Sequence, residues 1–328
     1  MTYGFRRHCS RQLLCEHIMP STAEYEEQVD LLRHGSDALR IAYTSSSSFL
    51  TSPTCKVQSL IVFDSSFNPP TIAHLELINR TIANPAFVPR SETAEANVLL
   101  LLAVQNADKP TAPAPLADRL SMMEQFSLEV GKAANCRSKV NIAVGITKYP
   151  RFVDKAEVVF HMFPGVEEQV YLTGYDTLIR LLDGKYYPGQ TLKDALGDFM
   201  TRCKIVCYIR DNPKWGTAAE QVQFVEDIRA GGKRDIPRHW ADRIWLLSYA
   251  DPICHPGDVT DEPQKLDLAI VSSTAARDAS KHGKVRMRVF YDCGERARLE
   301  RCQPDVLSCE CQTDMLTGIS PDSRVPKD

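Results

Sequence analysis

The sequence predicts an α/β protein, a doubly wound parallel sheet of about five to six strands with helices on both faces. Three observations carry that expectation. Short apolar runs alternate along the chain with longer segments whose apolar residues recur every three or four positions. The short runs are apolar almost throughout, as strands covered on both faces are. Polar turns of Ser, Thr, Asn, Gly or Pro separate the two kinds of segment, and several are placed to cap the helix that follows.

The totals set bounds. The chain has 328 residues, 43% of them hydrophobic and 25% charged, ordinary values for a globular protein. A net charge of -3 gives no case for nucleic acid as a partner. No run approaches the roughly 18 apolar residues of a membrane span, so no membrane partner is expected. Eleven cysteines at scattered spacings, with no secretory apolar region, suggest reduced thiols, consistent with a cytoplasmic and/or nuclear protein. Oligomeric state is not legible.

Residues 1–20 carry Arg6, Arg7, His8 and Arg11 and no acid before Glu16. They read as a disordered tail or a start at Met19, with a weak mitochondrial-presequence character. Residues 21–43 read as one amphipathic helix on Tyr25, Val29, Leu32 and Leu39, capped by Ser21 or Thr22, with Glu24 in its first turn. The Ser- and Thr-rich stretch 44–54 reads as a linker, making 21–56 a leader.

The main domain is expected over 57–283. Its opening strand, 57–63, leads into a polar turn, 64–71, and then a helix on Ile72, Leu75, Leu77 and Ile78, with Thr71 as cap. Further strands are expected at 97–104, 140–146, 169–173, 203–209 and 244–249. Helices are expected at 118–130, 152–163, 177–182, 192–200 and 217–230, the last stopped by Gly231 and Gly232. Trp240 and Trp245 read as packing residues. Residues 284–328 form an atypical tail that reads as disordered or as a gene-model artefact. Its Cys293, Cys302, Cys309 and Cys311 fit no four-ligand zinc spacing.

Two segments carry chemistry. In the first, a strand, a tight polar turn and a helix N-terminus bring free backbone N–H groups and the positive end of the helix dipole together, a ready anion site. His74 sits in the first turn of that helix, where its ring can donate to a phosphate oxygen and stabilise charge that grows during reaction. In the second, 268–277 (LAIVSSTAAR), another polar turn precedes a helix. The amides of Ser273 and Thr274 can cradle phosphate there.

Ser66-Phe67-Asn68-Pro69 with Thr71-Ile72-Ala73-His74 resembles the first signature of the nucleotidyltransferase superfamily that transfers AMP or CMP. The match is to the nicotinamide mononucleotide adenylyltransferases in their divergent fungal form. Ser272-Ser273-Thr274 with Arg277 resembles that family's Ile-Ser-Ser-Thr-x-x-Arg closing motif. Two positions depart from the pattern: Ser65 stands for the glycine before Ser-Phe, and Ala73 for the glycine before the His. The resemblance covers about Val57 to His282.

The resemblance implies a Rossmann-like fold in which ATP and nicotinamide mononucleotide, with Mg²⁺, give NAD and pyrophosphate. It implies three catalytic groups: His74 on the α-phosphate, with Lys109 and Arg277 on the departing pyrophosphate. Nucleotide contacts are implied at Ser65, Ser66, Phe67, Asn68, Thr71, Arg119, Gly174, Asp176, Arg210, Ser272, Ser273 and Thr274, with no metal held by protein ligands alone. Tyr149 or Phe152 stands near the aromatic that the family stacks on nicotinamide. The expected residues follow the carboxyl ends of successive strands, where ligands bind in such sheets. Two rival readings remain at this point: a sibling enzyme with another acceptor, such as phosphopantetheine, and a nucleotide-binding or ATP-hydrolysing regulator with weakened transferase activity.

Overall fold

The computed structural model describes residues 20–46, 49–50, 57–89, 95–105, 114–134 and 139–248. Its elements run α1 (Thr22–His34), β1 (Leu39–Thr44), β2 (Val57–Asp64), α2 (Ile72–Ala83), β3 (Glu95–Ala103), α3 (Leu116–Ala134) and β4 (Lys139–Thr147). They continue with α4 (Phe152–Met162), β5 (Val166–Gly174), α5 (Tyr175–Leu181), α6 (Leu192–Arg202), β6 (Cys203–Ile209), α7 (Ala218–Ala230) and β7 (Ile244–Ser248).

The strands form one seven-stranded sheet in the order β1-β4-β3-β2-β5-β6-β7. Every neighbouring pair is parallel except β1 with β4. From β2 the chain winds outward through β3 to β4. It then returns to the other side of β2 with β5 and winds outward again. The reversal falls between β2 and β5, the crevice where doubly wound sheets bind ligands beyond their carboxyl ends.

Period-two alternation sorts the strand side chains into two cores. Leu60, Val62, Leu99 and Leu101 face one side, packing with Val159 of α4, Leu178 of α5, Phe199 of α6 and Val225 of α7. Ile61, Phe63, Val98 and Leu100 face the other, with Leu32 of α1, Ile78 of α2 and Met123 and Phe126 of α3. Each fully buried aliphatic contributes roughly 1.5–3 kcal/mol relative to exposure, which is why the run Val98 to Leu102 makes β3 a central strand.

The leader differs from expectation. The single helix expected over 21–43 ends at His34, and Leu39–Thr44 is a strand that adds to the sheet edge antiparallel to β4. Gly35 breaks the helix, and Leu39 and Ile41 then alternate with Arg40 on a two-residue period, before a register shift turns Tyr43 to the other face with Ala42. Ser21 caps α1 in a capping box with Glu24. Buried Tyr25 donates from its hydroxyl to Glu124 Oε2 on α3 at 2.8 Å. Among the described residues no helix is long and apolar enough to cross a membrane.

Candidate active site

Beyond the carboxyl ends of β2, β5 and β6 lies a cavity of about 380 Å³. Its walls come from five segments: Phe63 to Ser65 at the end of β2, Thr71 to Leu77 at the start of α2, Leu172 to Thr177 across the β5–α5 turn, Tyr208 to Trp215 from the end of β6 onward, and Gln221 of α7.

The turn between β2 and α2 is held by Phe67, whose backbone is left-handed at φ 42°. A left-handed backbone costs a bulky L-residue about 1–2 kcal/mol. Offsetting it, the Phe67 ring is fully buried and packs against Phe63 at 5.5 Å and Phe126 at 6.2 Å between centroids. Asn68 is buried as well. Neither lines the cavity, and Ser66 is exposed to solvent.

Thr71 is the N-cap of α2 and His74 its third residue. The Thr71 backbone N–H donates to His74 Nδ1 at 2.9 Å, and Thr71 Oγ1 lies 2.7 Å from the same nitrogen. In the neutral ring Nδ1 is thereby the acceptor, and the proton resides on Nε2. Nε2 lies 3.3 Å from Ser65 Oγ on the cavity wall. Burial, reinforced by the charge of Arg210, pushes the His74 pKa down to about 4. Phe63 at 5.3 Å and Phe67 at 5.6 Å from the ring centroid fix its plane. The ring is a neutral donor at physiological pH, aimed where the helix dipole and free amides of α2 favour an anion.

Of the residues expected from sequence, Ser65, Thr71, His74, Gly174, Asp176 and Arg210 meet on this one cavity. Arg119 is buried on α3, where its Nε donates to the Ala114 carbonyl at 3.0 Å, and it does not line the cavity. Lys109, Ser272, Ser273, Thr274 and Arg277 lie outside the described residues. Tyr149 is exposed and Phe152 packs edge-on against Tyr171 at 5.3 Å; neither reaches the cavity. Trp240 is buried, as expected of a packing residue, whereas Trp245 is half-exposed on the flank of β7, edge-on to Phe87.

Sequence reasoning missed three features of the walls. Asp64, the last residue of β2, is paired with Lys155 of α4, both nearly buried. Tyr175 brings a phenol whose pKa burial pushes up to about 12, so it stays protonated. Trp215 closes the β6 side on a loop held by Gln221. The doublet Pro213-Lys214 before Trp215 marks a turn but gives no sign of which way the indole faces.

A switch-point cavity with an amide-lined helix start, a neutral imidazole donor and an arginine is the site of an enzyme acting on nucleotides or their phosphates. No protein-family model matches the chain. A Schizosaccharomyces pombe protein described as "Putative nicotinamide mononucleotide adenylyltransferase" is 37% identical over 187 residues, spanning 57% of this chain and 67% of that one. The chain belongs to the nicotinamide mononucleotide adenylyltransferase family and is a nucleotidyltransferase. Two solved structures are distant likenesses, both of the Plasmodium falciparum nicotinic acid mononucleotide adenylyltransferase. The complex with NaAD has a TM-score of 0.40 at 13% identity, covering 69% of this chain and 85% of that one. The complex with APC has a TM-score of 0.41 at 12% identity, covering 70% and 87%. At those scores neither bears on residue roles.

Proposed function

We propose that the protein transfers AMP from ATP to nicotinamide mononucleotide, forming NAD and releasing pyrophosphate. The observation that carries this reading is His74, fixed by the Thr71 amide as a neutral Nε2–H donor at the head of α2, on a cavity that Arg210 also lines. That arrangement supplies no nucleophile of its own and does not need one. The acceptor's phosphate oxygen attacks the α-phosphorus in line, a new P–O bond forms, and the bond to pyrophosphate breaks. What the protein contributes is positioning and charge stabilisation.

His74 Nε2–H is placed to donate to a non-bridging α-phosphate oxygen, whose charge shifts as the bonds exchange. Ser65 Oγ, now 3.3 Å away, lies in the direction of that donation. Gly174 lets the backbone approach the nucleotide closely, and Asp176 at the start of α5 is positioned to accept from a ribose hydroxyl. The sequence resemblance implies roles for Lys109 and Arg277 on the departing pyrophosphate.

Mg²⁺ is expected to arrive with ATP. Among the described residues no three His, Cys, Asp or Glu side chains gather as a metal cage. Mg²⁺ needs only one or two carboxylates beside phosphate oxygens and water, and half-exposed Asp176 offers one. The donors present fit an ion carried on the triphosphate, where it would neutralise phosphate charge.

The test is a product assay with ATP, Mg²⁺ and nicotinamide mononucleotide. NAD and pyrophosphate in equal amounts are expected, with no product when the acceptor is omitted. Inorganic phosphate in place of pyrophosphate would identify an ATP-hydrolysing protein and overturn the proposal. Pyrophosphate released only with nicotinate mononucleotide or phosphopantetheine would move the acceptor to a sibling reaction.

A further inference from the structure

On the β6 side the cavity is closed by an aromatic ring on a loop tied down by hydrogen bonds. The loop runs from Arg210 to Gly216, and the amide of Gln221, itself buried, acts as its inner partner. Gln221 Oε1 accepts from the Arg210 N–H at 3.1 Å, while Nε2 donates to the carbonyls of Arg210 at 2.6 Å and Gly216 at 3.2 Å. From the other side Asn212 Oδ1 accepts from the N–H groups of Lys214 at 2.9 Å and Trp215 at 3.2 Å. The Asn212 N–H in turn donates to the Gly216 carbonyl at 2.9 Å. Gly216 turns the chain at φ +80°, and a Cβ there would meet Glu220 at 2.7 Å.

This bonding holds Trp215 in place, half-buried with its side chain on the cavity wall. Lys214 Nζ stands over the indole, 5.1 Å from its centroid. A large aromatic surface on the cavity wall, carried by a loop tied down by its own hydrogen bonds, is a built platform for a planar group.

The row of strands says which end of a ligand meets it. The anion-binding start of α2 follows β2, and Trp215 follows β6, with β5 between them. Two strand spacings separate these ends, about 10 Å. A phosphate held by His74 therefore leaves a ribose over the β5–α5 turn and a base against the indole.

We infer that Trp215 is the stacking platform for the nucleotide base of ATP, positioned by Gln221 and Asn212. The inference rests on the proposed function for the identity of the nucleotide, and it adds a base-binding residue on the β6 loop. Stacking is indifferent to the base's hydrogen-bonding edge, so Trp215 sets affinity for a base and leaves its identity to other groups.

The test compares binding of ATP and inorganic tripolyphosphate, with Mg²⁺, to the full chain by calorimetry. The two ligands share the phosphates, and only ATP has a base. Trp215→Ala is expected to weaken ATP roughly 5- to 150-fold, the range of one lost base–aromatic stack, and to leave tripolyphosphate unchanged. Trp215→Phe is expected to keep most of the ATP affinity, and since it preserves the loop's packing it also controls for misfolding of the alanine variant. Equal losses for both ligands would make Trp215 a support of the cavity only, and an unchanged ATP affinity would remove it from the site; either overturns the inference. If wild type binds ATP and shows the Trp215 effect but makes no pyrophosphate, the proposed function fails and the stacking stands. If wild type makes NAD while Trp215→Ala binds ATP normally, the reverse holds.

Discussion

His74→Ala is expected to lower kcat by about 10²–10³, the loss typical of one preorganised donor to a developing oxyanion, with little change in the KM for ATP. The donor acts on charge that grows along the reaction, so its removal falls on the transition state more than on bound substrate. The fold should survive, because the Thr71 N–H released from Nδ1 borders a cavity that water can enter. A steady-state comparison of the variant with wild type checks this, with thermal unfolding of both as the control for structure. His74→Gln, which can present an N–H close to the Nε2 position, is expected to recover part of the rate. An unchanged kcat in the alanine variant would take His74 out of the mechanism.

The depressed pKa gives the same residue a pH signature. The His74 pKa is about 4 in the folded protein and about 6.5 unfolded, so between those values the unfolded chain binds a proton that the folded chain does not. Stability from this group is therefore complete above about pH 6.5 and is lost progressively as pH falls toward 4. His74 borders an open cavity, which screens part of the effect, so the loss is about 2 kcal/mol. Activity should show no inflection near pH 6.5 and an acid limb close to 4 where the fold permits measurement. A midpoint of activity at 6–7 that disappears in His74→Gln would mean that the ring titrates at its ordinary value and works as a cation.

Much of this site was legible in the sequence because local patterns define it. The period change at Thr71, from strand to turn to helical spacing, places His74 one turn into α2 whatever the rest of the chain does. The apolar run 97–104 marks β3 as doubly covered, and the carboxyl-end rule then gathers Gly174 and Arg210 onto the His74 cavity. β1 was hidden because Leu39 falls in step with the preceding helical stripe and only Ile41 reveals the shorter period before the register shift at Tyr43. Trp215 was hidden for another reason. The loop that carries it is tied by Gln221, a polar residue buried on the next helix, through bonds to backbone groups that no local pattern announces. The buried partners Asp64 and Lys155 are 91 positions apart, and neither residue's neighbours hint at the other.

That ion pair yields the largest expected change in stability. Lys155 lies on α4 with its side chain 4% exposed, and Asp64 ends β2 with its side chain 10% exposed. Lys155→Met would leave the Asp64 carboxylate buried without its cation, a loss of about 3–5 kcal/mol, or on the order of 10 °C in Tm for a domain of this size. Asp64→Asn should cost a similar amount by stranding the ammonium. The double variant Asp64→Asn with Lys155→Met removes both charges, and its stability is expected to recover most of the loss, because an uncharged pair no longer carries the desolvation penalty. Chemical denaturation of the four proteins forms a double-mutant cycle. Additive losses would show that the two side chains do not stabilise each other. The pair also bears on the site, since Asp64 lines the cavity next to Ser65. With Lys155 in place the carboxylate is neutralised before a polyphosphate arrives. Without it, a negative charge faces the α2 anion site, so Lys155→Met should raise the KM for ATP at temperatures where it remains folded. The double variant restores a neutral wall and should restore the KM as well, a recovery that follows from charge and not from packing.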